Sequence, residues 1–103
     1  MLAVVERNLD EIRALCREYG VLRLELFGSA TTGTFVPERS DLDFVVEYPP
    51  DYDFGLWLTR YFEFRDRLAA LLGRPVDLVM AGAVRKRAFA ESVAASRQIL
   101  YAA

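Results

Sequence analysis

The sequence predicts an α+β domain in which helices pack on a small mixed β-sheet. Apolar residues recur at steps of three and four in two long segments, which is typical of amphipathic helices. Short apolar or alternating runs separate these segments and are typical of strands. The chain has 103 residues and is 53% hydrophobic, enough for one compact domain with a buried core. We therefore expect residues 1–103 to form a single domain.

The first predicted element is a helix near the N-terminus. Its apolar positions alternate between steps of three and four: Leu2, Val5, Leu9, Ile12, Cys16 and Tyr19. Gly20 follows at the position of a left-handed C-cap, which would end the helix. Cys16 is the single cysteine, so an internal disulfide is excluded, and its place in the apolar stripe predicts a core thiol.

Three strands are predicted between the helices. Residues 21–27 alternate apolar and polar side chains and run directly into Gly28-Ser29. Residues 41–48 form the second strand, which Pro49-Pro50 ends, and residues 75–80 form the third. The stretch 30–37 between the first two strands has room only for a short helical turn and a loop.

The remaining elements are a long helix and a helical tail. The long helix is expected from about Asp53, as N-cap, to Leu72, with Gly73 just past its end. It has two apolar sides, and its aromatic side with Trp57 is either a protein interface or part of a broad buried face. A further helix is expected around residues 88–95. The pattern of residues 98–102 fits a short strand or more helix equally well.

The composition excludes several classes of function. The chain contains no histidine, so His-based triads, His general bases and the common zinc sites are excluded. A net charge of −2 argues against direct nucleic-acid binding as the main role. No apolar run approaches the roughly 20 residues of a membrane span, and the first residues lack the layout of a signal peptide. We expect a cytoplasmic protein.

Three aspartates interrupt the apolar strands and carry the predicted chemistry. Asp41 and Asp43 alternate along the second strand and so face one side, whereas Leu42 and Phe44 face the core. Asp77 repeats this oddity within the third strand. If the two strands are neighbours, the three carboxylates converge and repel unless a cation lies between them. Oxygen ligands suit Mg²⁺ or Mn²⁺, and three aspartates are the ligand set for two metals roughly 3.5–4 Å apart.

Simpler interpretations exist for each of these residues. Asp41 could merely end a turn, Asp43 could pair with an arginine, and Asp77 could be exposed on an edge strand. Gly28-Ser29 could be an ordinary turn, or its N–H groups and hydroxyl could bind a phosphate. A P-loop is excluded because Thr34 stands where the lysine is required. The run 85–87, Arg-Lys-Arg, would meet a phosphate or an acidic partner, or simply be a solvated face.

The motif Gly28-Ser29, eleven residues, then Asp41-Leu42-Asp43, with Asp77 in a later strand, resembles the polymerase-β-type nucleotidyltransferase superfamily. The short length resembles its minimal nucleotidyltransferases, the antitoxins paired with HEPN-type RNase toxins. The similarity extends over nearly the whole chain, including "PERSDLDFVVE", "LLGRPVDLV" and "ILYAA". The segment between the two motifs is one residue longer than is usual in that family, and we place the extra residue in the loop 35–39.

The resemblance implies a polymerase-β-like nucleotidyltransferase core and a role for each motif residue. Asp41 and Asp43 would bind both metals, and Asp77 would bind the metal that activates the acceptor hydroxyl and would help deprotonate that hydroxyl. Gly28 and Ser29 would hold the phosphate tail of ATP. The acceptor oxygen would attack the α-phosphorus, and pyrophosphate would leave. The implied cofactor is Mg²⁺ or Mn²⁺, with ATP as co-substrate.

Two classes of function follow from this resemblance. The first is an active protein adenylyltransferase, an antitoxin that transfers AMP to a hydroxyl, most simply a tyrosine, of a HEPN-type RNase toxin. The second is a weak or inactive nucleotide-binding antitoxin or regulator that neutralises its partner by forming a complex. The intact set of Asp41, Asp43 and Asp77 favours the first. The sequence leaves open the acceptor, the base specificity and a homo-oligomer.

Overall fold

The computed structural model describes residues 2–27, 41–84 and 97–103, which include a four-stranded sheet. Its strands are β1 (Arg23–Phe27), β2 (Leu42–Glu47), β3 (Val76–Met80) and β4 (Gln98–Ala102), in the order β3-β2-β1-β4. β1 is antiparallel to both β2 and β4, while β2 and β3 are parallel. The mixed sheet confirms the predicted fold class, and residues 98–102 are an edge strand.

The helices are α1 (Ala3–Arg7), α2 (Leu9–Tyr19), α3 (Thr59–Leu72) and α4 (Ala81–Val84). The predicted N-terminal helix is divided at Asn8, whose side-chain Nδ2 donates to the carbonyl oxygen of Val4 at 2.7 Å. Gly20 ends α2 with φ of 70°, as predicted. The short helix α4 directly follows β3 and was not predicted from the sequence.

Helices α1, α2 and α3 pack on one face of the sheet and form the core with it. Cys16 is fully buried there, and burial raises the pKa of its thiol to about 12, which confirms it as a core residue. The fully buried side chains of this core also include Val5, Ile12, Leu24, Leu26, Leu42, Phe44, Val46, Phe64 and Leu68. The amphipathic spacing of α2 thus reflects burial on the sheet.

The predicted start of the long helix at Asp53 is wrong. The Asp53 carboxylate accepts a hydrogen bond from the Gly55 backbone N–H at 2.9 Å and stabilises a turn instead. A 3₁₀ turn follows at Leu56–Leu58, in which Trp57 and Leu58 have positive φ of 57° and 59°. The long helix itself begins only at Thr59. The two apolar sides were inferred for a helix over residues 53–72, whereas the observed helix begins six residues later.

Helix α3 contributes Phe64, Leu68 and Leu72 to the core. Four of the exposed large apolar side chains lie in this helix or in the turn before it, and we call them the apolar patch: Leu56, Trp57, Leu58 and Phe62. Trp57 is 91% exposed. These four side chains are therefore not part of a broad buried face, which was one of the two alternatives.

The first strand starts at Arg23 rather than at residue 21, because Val21, just past the Gly20 cap, is bonded back to α2. Its N–H donates to the carbonyl oxygen of Cys16 at 3.0 Å and so closes the helix C-terminus. Several predicted features lie outside the described residues: Gly28, Ser29, the turn within 30–37, the run 85–87 and the helix around 88–95. In the part of the chain that is described, no helix has the length and apolar character needed to cross a membrane.

Candidate active site

Asp43 and Asp77 are direct register partners on the parallel strands β2 and β3. The Leu42 N–H donates to the carbonyl oxygen of Pro75 at 3.0 Å, which aligns the starts of the two strands. Alternation directs Phe44 into the core, where it is fully buried, so Asp43 lies on the opposite face. The condition for the carboxylates to converge, that the second and third strands are neighbours, is therefore met.

The three aspartates share one electrostatic environment. Asp43 is half-buried, and burial raises the pKa of its carboxyl to about 6, with further increases from the negative charges of Asp77 and Asp41. Asp77 and Asp41 are both exposed, and Asp41 lies one residue before β2. The neighbouring negative charges thus add to the cost of ionising the half-buried Asp43 carboxyl. This carboxyl therefore changes protonation close to neutral pH.

The donor set is suited to a hard divalent cation, although the side chains do not close around one point. Asp43 and Asp77 offer only carboxylate oxygens, which Mg²⁺ and Mn²⁺ prefer. Within residues 2–27, 41–84 and 97–103, no group of three or more histidine, cysteine or acidic side chains is arranged to hold a metal ion. The backbone thus brings two of the three predicted ligands together and leaves Asp41 at the strand entrance. A cation bound here would offset the negative charges around Asp43 and so lower its raised pKa.

The face of the sheet that carries Asp43 and Asp77 also carries residues of β1, and we call it the site face. Phe27 is paired with Asp43, and Glu25 is paired with Val45. Phe27 and Val45 form a small buried apolar cluster with Val79 and Ala81 packed against it. The site face is therefore apolar in the middle, with the aspartates at the end where β2 and β3 begin.

Glu25 is the residue of this face whose importance was not predicted. It is 6% exposed and is the single charged residue that is buried in the described part of the chain. Its Oε1 lies 2.6 Å from Nε of Arg23, and its Oε2 lies 3.6 Å from Nη1 of Arg97. The alternation of residues 21–27 could have placed Arg23 and Glu25 on the face of the aspartates. The pairing of Glu25 with Arg97 depends on the position of β4, which the sequence left open.

A cleft of about 500 Å³ lies at the other end of β2 and β3. Glu47, Tyr48, Pro49, Phe54 and Met80 contribute to its lining. Because β2 and β3 are parallel, this end is several residues away from Asp43 and Asp77. The cleft is therefore not part of the carboxylate site.

Comparison with known proteins identifies the family. A sequence model described as "Nucleotidyltransferase domain" matches residues 9–100. A curated protein of Methanocaldococcus jannaschii, provisionally named a protein adenylyltransferase, is 35% identical over 97 residues. This alignment covers 84% of the present chain and 92% of that protein. Most of the chain, including Asp41, Asp43 and Asp77, is thus within the matched region.

Solved structures give the same result. A structure provisionally described as a minimal nucleotidyltransferase has a TM-score of 0.69 and 27% identity, over 91% of this chain and 90% of its own. A toxin-antitoxin crystal structure with AMP-PNP has a TM-score of 0.67 and 26% identity, over 93% of this chain and 74% of its own. A Shewanella oneidensis HEPN toxin in complex with an MNT antitoxin, at 22% identity and a TM-score of 0.62 over 95% and 72%, shares the fold. With the family match over nearly its whole length, this chain belongs to the nucleotidyltransferase domain family.

Proposed function

We propose that this chain transfers AMP from ATP to a hydroxyl of a protein partner, in a reaction that requires Mg²⁺ or Mn²⁺ held by Asp41, Asp43 and Asp77. The observation that carries the proposal is the register pair Asp43–Asp77 at the start of two parallel strands. Asp41 lies close enough to raise the pKa of Asp43 further. In this proposal, residues 1–103 act as one minimal nucleotidyltransferase domain.

The reaction is an attack of the acceptor oxygen on the α-phosphorus of ATP. The new bond joins the acceptor oxygen to the α-phosphorus, and the bond from the α-phosphorus to the bridging oxygen of the β-phosphate breaks, so pyrophosphate leaves. Asp77 accepts the hydroxyl proton and, being exposed, passes it to water. A divalent ion bound there would supply charge neutralisation and acidify the acceptor hydroxyl.

Gly28 and Ser29 complete the proposed nucleotide site. The chain continues into them directly from Phe27, which is paired with Asp43. Glycine lets a phosphate approach the backbone closely, and the serine hydroxyl adds a donor. The two residues are thus assigned to the phosphate tail because they follow a residue that lies beside the central aspartate.

The proposed partner is a HEPN-type RNase toxin, with this chain as the antitoxin. Support comes from the toxin-antitoxin structure with AMP-PNP that this chain resembles at 26% identity. The apolar patch is a surface for such a partner because Leu56 and Trp57 are 81% and 91% exposed. We assign the anchor role to Trp57, since large aromatic side chains dominate the binding energy of protein interfaces.

The proposal is tested by titrating a non-hydrolysable ATP analogue into the protein in a calorimeter, with and without Mg²⁺. Asp43→Asn and Asp77→Asn are each expected to abolish the metal-dependent part of the binding. Asp51→Asn removes an exposed carboxylate in a turn away from the site and serves as the matched control. If both site variants bind the analogue with the metal dependence of the wild type, the assignment of these aspartates is wrong.

The second candidate function is neutralisation by complex formation without transfer. The observation in its favour is the apolar patch, which would serve an inhibitory complex equally well. In that case Trp57→Ala would abolish neutralisation of the partner, whereas Asp43→Asn would leave it intact. The catalytic proposal predicts that both variants lose neutralisation.

A further inference from the structure

The buried carboxylate of Glu25 lies on the site face and contacts two guanidinium groups. A carboxylate is costly to bury, and its burial with partners adds little net stability compared with an apolar side chain. Arg23, Glu25 and Arg97 together carry one net positive charge. They therefore place a positive charge on the same face as the aspartates, and such a fixed charge suits an anionic ligand.

The register of the sheet gives the order of the side chains across the site face. Asp77, Asp43 and Phe27 lie side by side on β3, β2 and β1. Gln98 is paired with Leu26, so Arg97, one residue earlier, continues this row next to Phe27. Arg97 is on the face of Phe27 because neighbouring residues of a strand point to opposite faces. Its contact with Glu25 agrees with this placement.

We propose that Arg97, positioned by Glu25, binds the β- and γ-phosphates of the nucleotide and holds the departing pyrophosphate. Two strand spacings, about 10 Å, separate the backbones of Asp43 and Arg97. Phe27 between them is buried and is the last residue of β1, so a triphosphate whose α-phosphate lies beside Asp43 reaches the long Arg97 side chain around this end of β1. The inference rests on the proposed function, since it takes the nucleotide to be bound at Asp43.

Arg97 and Arg23 differ in two ways that assign this role to Arg97. Arg23 is paired with Glu47 and lies at the far end of β2 from Asp43, whereas Arg97 is in the row of Asp43. Nε of Arg23 is buried and lies 2.6 Å from Oε1 of Glu25, whereas Arg97 is exposed and its Nη1 lies 3.6 Å from Oε2 of Glu25, beyond hydrogen-bond distance. The exposed guanidinium of Arg97 is thus the one accessible to phosphate oxygens, which a guanidinium binds with two parallel hydrogen bonds.

The test compares Arg97→Ala with Arg23→Ala in calorimetric titrations at fixed Mg²⁺. Both variants remove one partner of the same Glu25 carboxylate, so they are matched in their structural effect. The probes are a non-hydrolysable ATP analogue, inorganic tripolyphosphate and AMP. Arg97→Ala is expected to weaken the analogue and tripolyphosphate about tenfold or more, as for loss of a charge-assisted hydrogen bond. AMP affinity should not change in Arg97→Ala, and Arg23→Ala should weaken the analogue and tripolyphosphate clearly less than Arg97→Ala does.

Three results would overturn the inference. Arg97→Ala could bind the analogue and tripolyphosphate as tightly as wild type, it could lose AMP affinity by the same factor as the other probes, or Arg23→Ala could lose as much affinity as Arg97→Ala. If Arg97→Ala fails to fold, Arg97→Lys is used in its place, because a lysine keeps the ion pair with Glu25. That variant is expected to bind the two triphosphates about threefold more weakly, because a lysine lacks the two-pronged contact. Failure of the proposed function is a different outcome, in which Asp43→Asn retains wild-type metal-dependent binding.

Discussion

Asp43→Asn is expected to stabilise the protein at neutral pH while abolishing its activity. In the folded protein the pKa of the Asp43 carboxyl is about 6, compared with an ordinary value of 3.8, because of burial and the charges of Asp77 and Asp41. The folded state therefore holds this proton more tightly than the unfolded state does. Stability of the wild type falls as the pH rises from about 4 to about 6 and stays lower above that range. The amide of asparagine is neutral throughout.

The size of the effect follows from the shift in pKa. A difference of about two units corresponds to roughly 3 kcal/mol at most, at about 1.4 kcal/mol per unit. Asp43 is only half-buried, and solvent screening reduces this value. We expect Asp43→Asn to be more stable by about 1–2 kcal/mol above pH 6, which corresponds to a rise in Tm of roughly 5–10 °C for a domain of this size.

The measurement is urea unfolding of wild type, Asp43→Asn and Asp51→Asn between pH 4 and pH 8, without divalent ions. The advantage of Asp43→Asn should be small near pH 4 and reach its full value above pH 6. Asp51→Asn, in an exposed turn, should follow the wild type at every pH. If the unfolding free energy of Asp43→Asn is below that of wild type at pH 7.5, or differs from it by the same amount at all pH values, burial and like charge do not raise the pKa of Asp43 as inferred.

Three further predictions concern other parts of the fold. Trp57→Gly relieves the positive φ of 57°, and we expect the isolated protein to be neutral or up to about 1 kcal/mol more stable in urea, although pull-down of the partner is lost. Cys16 should react with a thiol reagent only at the rate of unfolding, since it is fully buried with a thiol pKa of about 12. Phe64→Ala should lower the unfolding free energy by about 3–5 kcal/mol because it empties the fully buried centre of the core, whereas Phe62→Ala, at an exposed position, should cost less than 1 kcal/mol.

The neighbouring aspartates could be predicted because they break strong local patterns. Asp43 and Asp77 each interrupt an apolar strand, and period-two alternation is enough to place Asp43 opposite the core side chains. The pairing of β2 with β3 was only assumed from the sequence, and the helix in the connection between them is compatible with their parallel arrangement. Local sequence was therefore enough to single out the two aspartates, whereas their proximity depends on the order of the strands in the sheet.

The start of α3 could not be predicted, because it depends on backbone conformation rather than on periodicity. Trp57 and Leu58 adopt left-handed backbone angles that non-glycine residues rarely take. The helical spacing of apolar residues continues through Trp57 and Leu58, so the sequence pattern predicts helix at positions where the backbone is not α-helical. This is also why the apolar patch was recognised only as one of two alternatives.

The pairing of Glu25 with Arg97 was missed because it joins strands far apart in the sequence. Residues 98–102 fitted a strand and a helix equally well, and a helix would have placed Arg97 elsewhere. The edge pairing of β4 with β1 is needed before the charge of Glu25 can be assigned a partner. Alternation along a strand therefore predicts which charged side chains share a face, but the register between strands is needed to know which of them pair.

In the proposed function, Asp41, Asp43 and Asp77 catalyse the transfer of AMP to a protein partner. This transfer is tested most directly by incubating the partner with this chain, ATP and Mg²⁺, and measuring the intact mass of the partner. With wild type the partner should gain about 329 Da per AMP, the mass of one transferred adenylyl group, and with Asp43→Asn it should gain none. A partner that keeps its mass, yet is bound and silenced equally by wild type and Asp43→Asn, would contradict the proposed transfer.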